Sequence, residues 1–296
     1  MNIYDIAKLA NVSIATVSRV VNNSPKVSPK TKEKVLAVMK ENEYTPNAFA
    51  RGLGLGSMKT VGIICPNIDD IYMAKAVSYL EQNLHAHGYD CILGCSEFKQ
   101  EEKADYVRLL LSKKIDTLIL VGSTYAGNGK DESDTDYIRE AAEQVSIFMI
   151  NAKVSGDNIY CTYADDFQAT YEVTKAFIRR GKEKILFMYD SESYSARQKM
   201  AGYETALQDA GYPIRGNLKF KTKNDIEYTR DMLLEYNRTL DFDSVLATED
   251  GIAIGAVKYA KIKGLAIPEE LAVVGYNNSI LAISSDPELT SVDSKL

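Results

Sequence analysis

From Thr60 onward the chain alternates between short apolar runs and longer amphipathic stretches, and this alternation restricts the possible folds most strongly. The apolar runs have the length of strands and fall at residues 61–65, 90–93, 117–121, 146–150, 184–189, 218–220, 244–247 and 272–276. The stretches between them are typical of helices and fall at residues 73–86, 101–113, 136–144, 166–180, 197–210, 226–238 and 251–263. Apolar strands that alternate with helices predict parallel sheets covered on both faces.

The alternation is interrupted once, near residues 154–165. We therefore predict an α/β body, residues 59–296, made of two doubly wound parallel subdomains with a cleft between them. The N-subdomain is expected at about 59–155 and the C-subdomain at about 160–288. Ligands of such sheets bind beyond the carboxyl ends of the strands, so the residues that follow each strand are the candidate ligand contacts.

Those strand-end residues are polar, rich in hydroxyl groups and include aromatic rings. They are Asn67, Asp69, Asp70, Tyr72, Ser123, Thr124, Tyr125, Asn151, Tyr163, Asp165, Asp166, Asp190, Ser191, Arg197, Glu249, Asp250, Asn277 and Asn278. Such a mixture suits a sugar, which needs hydrogen-bond partners for its hydroxyls and a flat surface for its ring. Any doubly wound sheet has some polar loop ends, so solvated loop residues are the alternative interpretation.

The first 45 residues have the pattern of a three-helix head with a helix-turn-helix. Asn2 and Asp5 form a variant capping box, and Ser13 is a cap for the second helix. Asn11 lies where the turn needs a positive φ, which Asn tolerates. Ser28 followed by Pro29 is a strong start signal for the third helix. A helix-turn-helix inserts the N-terminal end of its second helix into the DNA major groove.

The spacing of apolar residues divides the head into a core and an outward face. The predicted core contains Ile6, Leu9, Val12, Val17, Val20 and Val35, closed by either Leu36 or Met39. Ile14, Ala15 and Arg19 remain outside, with Ser13, Thr16, Ser18 and Asn22 beside them. Arg can pair with a guanine edge, and Ile and Ala can touch a thymine methyl. The hydroxyl residues suit phosphate oxygens. An ordinary three-helix bundle with a solvated arginine is the alternative.

Charge is distributed unevenly along the chain. Residues 1–58 contain eight basic and four acidic side chains, a balance of +4, whereas the whole chain has a formal net charge of −6. The remainder therefore has a charge of −10. A basic head on an acidic body restricts polyanion binding to the head.

The stretch from Tyr44 to Leu53 makes the chain similar to the LacI/GalR family of bacterial transcription regulators, and the resemblance extends over nearly the whole chain. It implies a hinge helix and linker at residues 46–58 whose leucine, matched by Leu53, wedges into the minor groove of the operator. Asn47, Ala50 and Arg51 match the residues that support this leucine. Gly52, Gly54 and Gly56 lie where the family usually has better helix formers. We expect a looser hinge because each glycine costs about 1 kcal/mol in a helix.

The same resemblance points to effector contacts in the body. Residues 195–203 resemble the family segment whose arginine, here Arg197, reaches the effector. Residues 273–278 resemble a family run whose first acid commonly binds effector, and here that position is Asn277. Asp250, Asp165 and Tyr72 also match family positions. The predicted effector contacts are Asp70, Tyr72, Ser123, Tyr125, Asp165, Asp190, Arg197, Asp250 and Asn277.

The last residues resemble a third crossing back into the N-subdomain. Residues 287–293 carry this resemblance, and family members then continue for some tens of residues. We therefore expect that the chain is truncated, that it is part of a longer product, or that this member lacks the closing segment. If the chain ends here in the cell, we expect exposed apolar surface on the N-subdomain and a lower melting temperature than for a chain extended by a family-like tail. Equal melting of the two would reject this expectation.

The family resemblance implies a cytoplasmic homodimeric regulator, a repressor of a carbohydrate-use operon. Its expected partners are a near-palindromic double-stranded DNA operator and a small sugar or sugar phosphate. A carbon-catabolite regulator with a phosphoprotein corepressor is the alternative within the class; a soluble sugar-binding module and an enzyme are the alternatives outside it. No cofactor, metal or membrane span is expected, and Cys65, Cys91, Cys95 and Cys161 are interpreted as reduced thiols because they lack a CxxC spacing.

Overall fold

The computed structural model describes residues 1–45, 56–129, 131–236 and 241–295. The head consists of helices α1 (Ile3–Leu9), α2 (Ile14–Val21) and α3 (Pro29–Glu41). The predicted caps are confirmed. The Asn2 side chain accepts hydrogen bonds from the backbone N–H groups of Tyr4 and Asp5, and the Asp5 carboxylate accepts one from the Asn2 N–H. Asn11 has a φ of 48°, as the turn requires.

The core of the head agrees with the predicted pattern at most positions. Buried in it are Ile6, Ala7, Ala10, Val17, Val20, Val35 and Met39. Met39, rather than Leu36, closes the core, since Leu36 is 44% exposed. The prediction for Leu9 is wrong because Leu9 is 55% exposed. The buried face of α1 continues from Ile6 to Ala10, one full turn away, and leaves Leu9 on the side of the helix.

The first lobe of the body is a five-stranded parallel sheet in the order β2-β1-β3-β4-β5. Its strands are β1 (Thr60–Cys65), β2 (Asp90–Cys95), β3 (Thr117–Val121), β4 (Ser146–Ile150) and β5 (Ile159–Thr162). Its helices are α4 (Ile71–Ala86), α5 (Gln100–Ser112) and α6 (Asp136–Ala142), with 3-10 turns at Ser123–Ala126 and Glu132–Thr135. As predicted, apolar clusters cover both faces. Ile64 and Leu120 pack with Val107 on one face, and Ile63 and Val121 pack with Val77 on the other.

The second lobe repeats this arrangement, with the strand order β10-β9-β8-β6-β7. Its strands are β6 (Ile185–Tyr189), β7 (Lys219–Lys221), β8 (Ser244–Ala247), β9 (Ala272–Tyr276) and β10 (Thr290–Val292). Its helices are α7 (Asp166–Arg179), α8 (Tyr194–Asp209), α9 (Ile226–Tyr236), α10 (Asp250–Lys263) and α11 (Ile280–Ser284), with a 3-10 turn at Gly216–Leu218. All strand pairs in both sheets are parallel, which confirms the predicted fold class.

Two segments differ from the sequence-based interpretation. The interruption predicted at residues 154–165 contains strand β5, which pairs with β4 at the edge of the first sheet. Its alternating partial exposure, with Tyr160 stacked on Phe148 of β4, hides it from a search for continuous apolar runs. Residues 290–292, interpreted as part of a crossing into the first lobe, instead form β10 on the second sheet, so this sheet continues beyond residue 288.

Asp116, just before β3, fastens the beginning of the body. Its carboxylate accepts hydrogen bonds from the Ser57 hydroxyl at 3.0 Å, the Met58 N–H at 3.0 Å and the Thr60 N–H at 3.1 Å. Because three donors bind one carboxylate, the backbone of residues 57–60 is held in one orientation at the start of β1. Among the described residues, no helix has the length and apolar character needed to span a membrane.

Candidate nucleic-acid interface and interlobe cleft

The N-terminal end of α2 is held by its own side chains. The Ser13 hydroxyl accepts a hydrogen bond from the Thr16 N–H at 3.1 Å, and the two hydroxyls lie 2.9 Å apart. On the core side, Val17 and Val20 are buried against α1 and α3. The first turn of α2 therefore presents backbone N–H groups and short polar side chains outward, an arrangement suited to a phosphate oxygen.

The three predicted base-reading side chains lie on the outside of the head. Ile14 is 41% exposed, and Ala15 and Arg19 are also exposed. Within the described part of the chain, the Arg19 guanidinium has no hydrogen bond or ion pair. Ser13 is exposed, and Thr16, Ser18 and Asn22 are partly exposed beside the trio. The predicted hinge contacts Asn47, Ala50, Arg51 and Leu53 lie outside the described residues.

The body contains a cleft of about 1090 Å³ between the carboxyl ends of the two sheets. Six of the nine predicted effector residues line it: Asp70, Tyr72, Ser123, Asp190, Asp250 and Asn277. The first three come from the first lobe and the last three from the second. The volume lies slightly above the range of about 300–1,000 Å³ that is typical of small-molecule sites in proteins.

Three predicted effector residues do not line this cleft, and their positions correct the strand-end interpretation. Tyr125 is fully buried because the 3-10 turn after β3 turns its ring inward, where its hydroxyl lies 2.7 Å from that of Ser96. The exposed Asp165 carboxylate caps α7 by accepting from the Gln168 N–H at 2.9 Å. The Arg197 Nη1 donates at 3.2 Å to the carbonyls of Gly127 and Glu192, so it joins the two lobes at the edge of the cleft.

Asp250 and Asn277 both take part in the structure of the second lobe. The buried Asp250 carboxylate accepts from the Ser279 N–H and the Ser291 hydroxyl, both at 2.6 Å, and so fastens β10 to α10. Asn277 has a φ of 87°, and its Nδ2 donates to Glu249 Oε2 at 2.7 Å. The amide at position 277 therefore orients a carboxyl group that also lines the cleft.

Two buried lysines in the cleft wall were not predicted. Lys199 is 3% exposed; its Nζ donates to the Thr248 carbonyl at 3.1 Å and lies 3.6 Å from the centre of the Tyr276 ring. Lys103 is also 3% exposed and donates to the Thr124 carbonyl at 2.8 Å. Burial lowers the pKa of Lys103 to about 8, which Asp134 partly offsets. Both lysines lie within helices, so a search of strand ends could not find them.

Many of the cleft's polar atoms have no hydrogen-bond partner within the described structure. Nine buried side-chain atoms in the described residues are in this state, and six belong to cleft-lining residues: Tyr72, Thr124, Asn151, Ser195, Thr248 and Ser279. Buried polar groups in native proteins are nearly always paired. Because these unpaired atoms are concentrated in one cavity, the cavity suits a polar, hydroxyl-rich ligand.

Comparisons with known proteins agree with both halves of this description. Residues 2–47 match the family model of bacterial regulatory proteins, lacI family. Residues 58–295 match periplasmic binding proteins and the sugar binding domain of the LacI family. This chain belongs to the LacI family. Membership confirms the predicted resemblance and makes the chain a transcriptional regulator with a family sugar-binding domain.

Individual LacI-family proteins are similar over almost the full chain. An HTH-type transcriptional regulator of Lachnoclostridium phytofermentans is 47% identical over 294 residues, covering 99% of this chain and 88% of the relative. Catabolite control protein A of Priestia megaterium is 31% identical over 300 residues, covering 99% and 87%. The lac repressor dimer bound to operator and an anti-inducer superimposes with a TM-score of 0.86 at 24% identity, covering 98% of this chain and 86% of that one. At this identity the superposition shows a shared fold.

Proposed function

We propose that the chain is a repressor that binds a near-palindromic operator as a homodimer and responds to a small hydroxyl-rich effector in the interlobe cleft. The outward position of Ile14, Ala15 and Arg19 carries the DNA-binding part of this proposal. A dimer presents two such heads, which suits two half-sites related by a twofold axis. The operator-bound state of the lac repressor dimer, a protein of the same fold, supports this arrangement.

The cleft supplies the effector-sensing part. It lies between two lobes, so a ligand that contacts both can stabilise one angle between them. The lobes are already joined by the Arg197 hydrogen bond to the Gly127 carbonyl. Because Asp116 holds residues 57–60, a change in lobe angle is passed to the end of the linker. A coupling free energy of about 1–3 kcal/mol between the two sites changes operator affinity about 5- to 150-fold.

The test begins by selecting an operator. The full chain is used to enrich duplexes from a random-sequence library, and binding to the selected duplex is followed by fluorescence anisotropy at several salt concentrations. We expect a motif with twofold symmetry and an affinity that falls steeply with salt, as phosphate contacts require. Enrichment of no motif, or equal binding to selected and scrambled duplexes, would overturn the DNA-binding proposal.

A catabolite regulator with a phosphoprotein corepressor is the second candidate. The similarity to Catabolite control protein A supports this candidate. Titration of the chain–operator complex with sugars and, separately, with a phosphorylated carrier protein distinguishes the two. A change in operator affinity with a sugar alone supports the main proposal, and a change with the phosphoprotein alone supports the alternative.

Arg197→Ala is expected to abolish the effector response while operator affinity without effector is retained. The substitution removes the hydrogen bonds from Arg197 Nη1 to Gly127 and Glu192, and with them a connection between the lobes. Operator affinity with and without effector is measured by anisotropy. Arg180→Ala, which removes an exposed charge at the end of α7, is the control and should respond like the unchanged chain. A full response by Arg197→Ala would reject this role.

A further inference from the structure

Three carboxyl groups face one another across the interlobe cleft. Asp70 belongs to the first lobe, where it caps α4 by accepting from the Met73 N–H at 2.9 Å. Asp190 follows β6 and Glu249 follows β8, so both belong to the second lobe, and all three line the cleft. Burial raises the pKa of both Asp190 and Glu249, and the Asp70 carboxylate raises both further. Like charges on opposite lobes oppose closure of the cleft.

Three lysines line the cleft, Lys103, Lys199 and Lys223, and none of them forms an ion pair with these carboxyl groups among the described residues. Lys199 lies beside Asp190 and Glu249, but its Nζ is already engaged by the Thr248 carbonyl and the Tyr276 ring. None of the three carboxyl groups forms an ion pair with another described residue. Burial raises the pKa of Glu249 to about 8; Lys199 opposes this, and Asp190, Asp70 and Asp250 reinforce it. With a pKa of about 8, Glu249 is largely protonated near neutral pH, and a further positive charge in the cleft would favour its ionised form.

The same wall contains hydroxyl groups that lack partners. Ser195 is 4% exposed and Thr248 is 2% exposed, and the side-chain oxygens of both have no hydrogen bond among the described residues. The Tyr72 phenol on the opposite lobe is in the same state. All three residues line the cleft. A small cation alone would leave these groups unpaired, whereas a molecule that carries hydroxyls as well as a charge would satisfy them.

We propose that the effector is an amino sugar whose ammonium group lies between Asp70 of the first lobe and the Asp190–Glu249 pair of the second. This inference rests on the proposed function, since it names the chemistry of the same effector. The ammonium offsets the repulsion between the lobes, and the ring hydroxyls pair with Ser195, Thr248 and Tyr72. A phosphate in this position would meet carboxyl groups on both sides, so we expect phosphorylated sugars to bind more weakly than the amine.

Calorimetric titration of the full chain with matched sugars tests the charge. The probes are glucosamine, galactosamine and mannosamine, each compared with its parent hexose and its N-acetyl derivative, together with glucose 6-phosphate and putrescine. We expect at least one amine to bind about tenfold or more tightly than both neutral analogues, because hydrogen bonds to charged groups exceed neutral ones by about 1 kcal/mol or more. Putrescine, which has no hydroxyls, should bind more weakly than that amine.

Three outcomes would overturn the inference. They are no binding of any amine at millimolar concentration, a neutral hexose or glucose 6-phosphate that binds as tightly as the best amine, and putrescine that equals it. If the chain still selects a symmetric operator and a neutral sugar changes its operator affinity, only the inference about the amine fails. If no operator is selected, the proposed function itself fails.

Asp70→Asn locates the charge within the cleft. Asparagine is a good N-cap, so α4 keeps its cap while the carboxylate is lost. We expect the best amine to lose about tenfold in affinity and its parent hexose to change by about twofold or less. Asp157→Asn removes the same charge from an exposed side chain of the first lobe that does not line the cleft, and it should change neither affinity. Equal losses for the amine and the hexose in Asp70→Asn, or equal effects of the two variants, would reject the proposed position of the ammonium.

Discussion

Replacing Arg19 by alanine is expected to remove most of the chain's preference for its operator while leaving nonspecific DNA binding nearly intact. Arg19 is exposed on α2 and has no partner among the described residues, so its guanidinium is available to a base edge. A bidentate contact to guanine contributes about 1–3 kcal/mol of discrimination, and a dimer would lose two such contacts. Affinities for the selected and scrambled duplexes are compared by anisotropy at one salt concentration.

The control for this prediction is a lysine that contributes charge without reading bases. Lys40 lies exposed in the last turn of α3, and Lys40→Ala removes the same charge from the head. This variant should weaken binding to both duplexes by a similar factor. A similar uniform loss for Arg19→Ala would show that Arg19 contacts phosphate and does not read sequence.

Gly202→Ala is expected to have the largest effect on stability. Gly202 lies where α8 crosses α7, and a Cβ atom added there would be 2.1 Å from the Phe167 carbonyl oxygen and 2.4 Å from the Thr170 hydroxyl. The Thr170 hydroxyl also donates to the Lys199 carbonyl at 2.8 Å, so neither helix can withdraw without losing this bond. Inserting a methyl group into such packing costs about 3 kcal/mol.

Calorimetric melting measures this loss. For a unit of the size of the two-lobe body, about 3 kcal/mol corresponds to a decrease in Tm of about 6–12 °C. Gly216→Ala is the matched control, because a Cβ atom at Gly216 meets nothing within 4 Å and should leave Tm unchanged. Equal melting of the two variants would show that α7 and α8 separate easily. That result would contradict their close packing.

The fold was predictable where burial and periodicity coincide. Continuous apolar strands such as β3 and β8 are recognisable because both of their faces are covered. Strand β5 was not recognised, since it lies at an edge and its residues are only partly buried. The structure of the head could be predicted almost residue by residue, because its caps, turn and core are formed by residues that are close together in the sequence. Leu9 is the exception. Its spacing of three residues from Ile6 suggested that it is buried, but the buried face of this short helix passes through Ala10 instead.

The cleft was only partly predictable. Residues directly after strands, such as Asp70 and Asp190, were found because the carboxyl edge of a parallel sheet has a known direction. Tyr125 follows a strand equally closely, yet a 3-10 turn directs its side chain inward. Lys199 was missed because it lies inside a helix, and only the crossing of α8 over the second sheet brings it beneath the Tyr276 ring. Side-chain direction after a strand and helix placement are tertiary properties that no local pattern contains.

The hydrogen bonds from residues 57–60 to Asp116 hold the start of β1 to the rest of the first lobe. The first strand of the body cannot pivot independently, because its entry is tied to the residue that opens β3. Rotation of the first lobe must therefore carry Ser57 along as part of one rigid unit. In the proposed homodimer, the distance between the two Ser57 residues would therefore change with the lobe angle.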